Sequence, residues 1–253
     1  MTNPNGRILY HGPSELDGAD IVVIATGFTK ASKNTKTGGD LLQVFIMCAD
    51  IAPHAALKTG DDYSVCGDCR HRPTILEDGT VIPGSCYVTV HHGPRAAWQC
   101  WATGSGYGEL SLAVDAAVLA STGIRFGAYG DPAAVPFSVW EPLLALAPFH
   151  TGYTHQWRDG RFDVFASFLM ASADGPQDRA DANAAGFRTF RVQAHDDTSK
   201  PLAGEFACPA SAERGHVTTC DACKACGGHA SKARADVVIR SHGPKAKRFV
   251  AVA

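Results

Sequence analysis

No stretch of this sequence is apolar for long enough to cross a bilayer. The longest early apolar run, residues 21–25, falls far short of the roughly 20 residues a spanning helix needs. The first 25 residues also lack a basic segment followed by an apolar one, so no secretory leader is expected. The expected location is therefore the cytoplasm, or the host cytoplasm for a phage-encoded chain, where thiols stay reduced. Charge of one sign is also lacking. The net charge is −2, which gives no global pull toward nucleic acid or a membrane surface. No P-loop, no G-x-S-x-G elbow and no H-E-x-x-H pair is present, which removes the most legible NTPase, hydrolase and zinc-protease chemistries. The cluster Gly104, Gly106, Gly108 precedes a predicted helix but misses the dinucleotide spacing, so it reads as a turn.

What the sequence does have is cysteine. Nine are present, an odd number that argues against a complete disulfide framework in a reducing compartment. Cys208 followed by Cys220-x2-Cys223-x2-Cys226-Gly-Gly has the compact thiolate triplet plus a distant fourth that suits a [4Fe–4S] cluster. A short loop can wrap a cubane and place one thiolate on each iron, and the two glycines would permit a tight turn beside the sulfurs. Zinc is the rival metal. A second group, Cys66-x2-Cys69 with Cys86, offers three thiolates. It would hold either a second cluster with one open iron or a zinc ion, with Cys48, Cys100, His91 or His92 as a possible fourth ligand. Cys48 and Cys100 read first as small buried hydrophobes. Arg70 and Arg72 flank this group as loop charges or anion ligands.

From residue 110 to 205 the pattern alternates. Helices are expected at 110–119 (buried on all sides), 135–146 and 177–185, and strands at 124–129, 149–157, 165–171 and 187–192. Earlier strands are expected at 21–26 and 41–47, joined by a polar loop at 30–40, and a late one at 237–240. Helices between strands imply βα units. The expected fold is α/β: an irregular or partial βα barrel of parallel strands with cysteine-rich turn segments. Residues 1–205 would form the barrel-like domain, with a metal-binding loop at 66–100, and residues 206–253 a cysteine-rich segment packed on it. In such folds polar residues at the C-terminal strand ends form the active face. Asp131, His155 and Asp174 are the catalytic candidates there, with Gly130 and Tyr153 as cofactor contacts. Singly, the two aspartates read equally well as helix caps. Tyr153, His155 and Trp157 would alternate along one strand and share a face. From Lys224 onward seven basic residues face one acid. They could meet nucleic acid, but a cluster's negative charge accounts for them without it.

Several of these pieces together resemble a family of uncharacterised bacteriophage proteins catalogued as gene product 88. They are Asn34-Thr-Lys-Thr-Gly38, Cys66 to Cys69 with Cys86-Tyr87, Arg125-x4-Gly130-Asp131, Gly152-Tyr-Thr-His-Gln-Trp157 and the Cys220–Cys226 triplet. The resemblance spans about residues 33 to 226. A wider likeness is to radical S-adenosylmethionine enzymes, which implies a βα barrel, a three-cysteine cluster with an open iron, S-adenosylmethionine as the bound small molecule and an auxiliary cluster in the tail. This chain lacks their C-x3-C-x2-C loop. Two functions follow. One is an iron–sulfur redox or radical-type enzyme acting on a small molecule with an electron donor. The other is a non-catalytic module stapled by zinc or clusters that binds a partner.

Overall fold

The computed structural model describes residues 4–34, 36–38, 41–104 and 106–251. Thr35, Gly39 and Asp40 of the predicted 30–40 loop, and Ser105 of the glycine cluster, lie outside the described residues.

The chain opens with an antiparallel unit, β1 (Gly6–Pro13), β2 (Asp20–Thr26) and β3 (Leu41–Cys48). Every residue of β3 is buried, as suits a continuous apolar run covered on both faces. β3 is also where the sheet changes character, because its other neighbour, β7 (Gly123–Tyr129), runs parallel to it. Between them lie α1 (Pro53–Thr59), α2 (Tyr63–Cys66), the small hairpin β4 (Thr74–Ile75) and β5 (Val81–Ile82), α3 (Gly93–Ala102), β6 (Gly108–Glu109) and α4 (Leu112–Ser121). The chain continues through α5 (Phe137–Leu146), β8 (His150–Thr151), β9 (Tyr153–Thr154), β10 (Met170–Ala173), α6 (Pro176–Ala184), β11 (Thr189–Gln193), β12 (Glu205–Ala207), α7 (Cys220–Cys223) and β13 (Asp236–Arg240).

The strands form a six-stranded sheet, β6-β1-β2-β3-β7-β8, and a five-stranded sheet, β12-β13-β11-β10-β9. From β3 onward every pairing between neighbours in these two sheets is parallel. The fold is thus mixed α/β with parallel sheets, and no closed barrel forms among the described residues. The two sheets meet at Gly152, which separates β8 from β9. A Cβ there would sit 2.5 Å from Leu169 Cδ2 and 3.0 Å from Phe126 Cβ.

Four expectations need correction. Residues 149–157 are not one strand. The backbone breaks at Gly152 and then turns into a 3-10 segment at Gln156–Arg158, so Tyr153, His155 and Trp157 do not share a strand face. Residues 165–169 belong to a 3-10 turn and its exit, and only 170–173 are strand. α4 is not buried all round: Val114 is 68% and Leu112 45% exposed, and its anchors are Asp115 and Leu119. Asp115 is held by Arg7 from β1 in a buried pair at 2.9 Å. Finally, residues 206–253, expected as a segment packed on the preceding domain, also contribute strands to its sheet. β13 pairs with β11, and β12 begins at Glu205 and pairs with β13, so the parallel sheet runs through the expected boundary.

Gly130 has a backbone role. Its φ is +80°, and an added Cβ would lie 2.6 Å from the Ile46 carbonyl oxygen of β3. Gly130→Ala is therefore expected to cost about 2–4 kcal/mol, from left-handed strain plus overpacking against main chain. A denaturant midpoint that does not move would refute this.

Candidate metal centres

Parallel strands place the residues that follow them on one end of the sheets. β7 delivers Asp131, β9 delivers His155 and β10 delivers Asp174. The loop after β3 runs through α1 and α2 to Cys66, and brings the first cysteine group to this end. Asp131 fixes the join. Its backbone N–H donates to the Val65 carbonyl at 2.6 Å. Its Oδ2 accepts from the His155 backbone N–H at 2.7 Å and from Gln156 Nε2 at 3.3 Å, and its Oδ1 accepts from Ala133 N. Gln156 Nε2 also donates to the Cys66 carbonyl at 3.1 Å. Burial raises the Asp131 carboxyl, and these donors offset part of the rise. Asp131 is therefore both the helix cap expected of it and the clamp between His155 and the Cys66 loop.

Cys66, Cys69 and Cys86 are neighbours, but among the described residues the one group of three donor atoms within 4.8 Å of one another is His71, His155 and Asp174. Burial pushes all three thiols up, and the neighbouring sulfurs push Cys66 and Cys69 further. Such a set is costly to ionise empty and suited to a cation. The Tyr129 hydroxyl lies beside this group, buried and without a hydrogen-bond partner among the described residues. It is a donor in need of an acceptor, as a metal-bound sulfur would be. His155 Nε2 lies 3.6 Å from Cys69 Sγ, and burial followed by the His71 charge draws its pKa down to about 4. The imidazole is thus neutral and able to donate a lone pair. Asp174 Oδ1 bonds His71 Nε2 at 3.0 Å, while His71 Nδ1 meets Ser85 Oγ at 2.7 Å. Burial alone would raise the Asp174 carboxyl, yet the His71 contact holds it below the ordinary range.

Three of the suggested fourth ligands of this group have other partners, and the fourth, His92, is exposed at the start of α3. Cys48 donates to the Asp61 carbonyl, Cys100 contacts Tyr107, and the His91 ring packs on His54. Arg72 is no free anion ligand either. It makes two bonds to buried Asp62, at 2.8 and 2.9 Å, and others to the carbonyls of Gly60 and Gly67.

The tail cysteines share one cavity, though no three of their sulfurs lie within 4.8 Å of one another. Cys208, Cys220, Cys223 and Cys226 line one cavity, walled by Tyr153, Phe190, Phe206 and Val237. Burial pushes Cys226 up to about 12, and raises Cys208 and Cys220. Tyr153 lines the same cavity as Cys226, so the cofactor contact expected at Tyr153 falls on the tail group. α7 carries Cys220 and Cys223 and ends at Lys224 in the left-handed region, which turns the chain toward Cys226. Gly228 serves a different purpose from the sulfur-side turn expected of it: a Cβ would strike main-chain atoms of Ala166 and Leu169 at 2.7 Å.

Sequence reasoning missed the surroundings of this centre. The Lys36 and Thr37 carbonyls accept from the N–H groups of Cys220 and Asp221, both at 3.2 Å, so the Asn34–Gly38 motif docks on α7. Lys36 lines the cavity, and Arg125 faces Cys220. Of the basic C-terminal residues expected to offset the sulfurs' charge, Lys224 also lines the cavity. All nine cysteines are free thiols. Among the described residues no helix is long and apolar enough to cross a membrane. Comparison with family models, curated proteins and solved structures gives no match to this chain.

Proposed function

We propose that this chain is an iron–sulfur redox protein in which Cys208, Cys220, Cys223 and Cys226 hold a [4Fe–4S] cluster. The cavity among the four thiols carries this reading. A single zinc ion draws four sulfurs into contact around it, whereas a cubane needs space between them. An all-sulfur donor set in an apolar shell fits iron–sulfur ligation. Lys36 and Arg125 near the sulfurs, with Tyr153 lining the same cavity, supply positive charge and a neighbouring hydroxyl of the kind that sets a cluster's potential.

The three-cysteine group holds a second metal centre at the strand ends, its fourth position facing His155. The parallel strands then form an opened, irregular βα barrel, with Asp174 and His71 as the polar groups at that end. Arg125 connects the two regions, because its Nη2 donates to the hydroxyl of Tyr87, next to Cys86, at 2.8 Å. The bound cluster supplies one-electron transfer. The protein's own residues exclude water, orient the sulfurs and offset their charge.

Anaerobic purification tests this. The full chain is expected to be brown and to contain iron with acid-labile sulfide. A colourless chain carrying stoichiometric zinc at the tail would support the non-catalytic zinc-stapled module and refute this reading. Cleavage of S-adenosylmethionine under reduction tests the radical version separately.

A further inference from the structure

We infer that His71, His155 and Asp174 hold one divalent transition-metal ion of the iron(II) or zinc class, in a site separate from both cysteine groups. The inference goes beyond the tail cluster and does not depend on what either cysteine group binds.

The donor set carries the argument. Two imidazoles and one carboxylate each place a ligand atom within 4.8 Å of the others, and among the described residues no other three histidine, cysteine or acidic side chains do so. Imidazole nitrogen with carboxylate oxygen suits these divalent ions, and three such ligands leave positions open for water or a substrate. Two bonds of about 2.1 Å meeting at a right angle set their donors about 3.0 Å apart. His71 Nε2 and Asp174 Oδ1 stand 3.0 Å apart. That is also hydrogen-bond length, so the pair can share a proton or an ion without moving apart. A hydrogen bond needs only that pair, whereas the third donor, on His155, is what an ion requires.

Each ligand is held from a different part of the chain. His71 lies on the loop after α2, His155 follows β9 and Asp174 follows β10. His71 Nδ1 meets Ser85 Oγ at 2.7 Å, and its ring stacks on Phe249. A hydroxyl can accept from Nδ1–H, which leaves the Nε2 lone pair for a metal. The His155 backbone N–H donates to Asp131 Oδ2 at 2.7 Å, and its ring meets that of His71 edge-on with centroids 5.6 Å apart. The Asp174 backbone N–H donates to Asp178 Oδ2 at 3.1 Å, and Asp178 is paired with Arg158. The Asp174 side chain is 4% exposed and that of His71 16%, so the carboxylate is sheltered and an ion still has a way in. Cys69 is the rival partner. Its Sγ stands 3.6 Å from His155 Nε2, yet it completes no group of three donors at the spacing His71 and Asp174 achieve. His155 and Asp174 then act as ligands and not as a free base and acid.

Manganese(II) binding to the full chain, read by electron paramagnetic resonance after any resident ion is exchanged, tests this. Manganese favours oxygen and nitrogen over thiolate, and its resonance reports bound nitrogens. Wild type is expected to bind one ion coupled to two imidazole nitrogens. Asp174→Asn keeps an acceptor for His71 and should weaken binding by more than the 10–100-fold typical of an outer-shell change, whereas Ser85→Ala should fall within that range. Cys69→Ser should leave binding unchanged. No bound ion in wild type, coupling to fewer than two nitrogens, or equal affinity in wild type and Asp174→Asn would overturn the assignment. So would loss of the ion in Cys69→Ser, which would give it to the cysteines. Iron and sulfide are counted separately. A chain without the tail cluster that binds manganese through two histidines would therefore refute the cluster reading and leave this one standing.

Discussion

Cys223→Ala is expected to remove the tail cluster's iron and sulfide entirely and to leave the metal at the first centre in place. Three of the four sulfurs remain, but a cubane open to the cavity on one side has lost both a ligand and its barrier to solvent. Cys223 is the cleanest of the four to remove. Cys208, Cys220 and Cys226 also pack with Met170, Val237 and Ile239 in the small core beneath the centre, and Cys223 does not. Loss of iron on changing Cys223 therefore reads out ligation, whereas the same loss on changing Cys208 would mix ligation with packing. Cys100→Ala is the matching control, since that cysteine lies against Tyr107 on the far sheet edge and should leave iron unchanged. Iron and acid-labile sulfide per chain, with the visible spectrum, decide the matter. If Cys223→Ala keeps its full iron content, the tail does not hold the cluster.

The tail triplet stood out because its spacing is local. A C-x2-C-x2-C run is visible within seven residues, whatever the rest of the chain does. Strands β2, β3, β7 and β13 were legible for a similar reason, since each is a compact apolar run in a polar setting. The partners of the metal groups were not legible, because chain closure creates them. His155 meets Cys69 across 86 residues of sequence and Gln156 meets Cys66 across 90. The Asn34–Gly38 loop reaches α7 from the other end of the chain. Each of these residues looks like an ordinary polar loop residue until the parallel strands align their ends. The misreadings at α4 and at residues 149–157 have one cause. Composition sets the pattern of apolar residues, but where the neighbours stand decides which side is covered and where a strand must break. Gly152, crowded by Leu169 and Phe126, marks such a break.

The same dependence on closure makes Asp236→Ala the most destabilising single change expected. Asp236 opens β13 and is only 4% exposed. Its carboxylate accepts from Arg179 Nε at 2.8 Å, Asn183 Nδ2 at 3.1 Å and the Thr189 backbone N–H at 2.8 Å, and so joins α6, β11 and β13. Truncation leaves a buried amide unpaired and Arg179 with only Glu205, at 3.3 Å, as its remaining carboxylate. Breaking a buried pair in this way costs about 3–5 kcal/mol, a large share of the roughly 5–15 kcal/mol that holds a domain folded. Asp236→Asn keeps an acceptor for the Thr189 N–H but sets an amide N–H2 donor against Arg179 Nε and Asn183 Nδ2, so it should recover only part of the loss and fall between the variant and wild type. Denaturant unfolding of the metal-free chain measures the three. Adding metal makes the test sharper. A ligand bound only by the native state stabilises it by mass action, and β13 lies under the tail centre. The loaded Asp236→Ala chain should therefore regain much of what the metal-free chain loses. Equal midpoints for Asp236→Ala and wild type would contradict the role given to this carboxylate. A deficit that metal leaves untouched would instead separate the tail centre from the sheet that carries it.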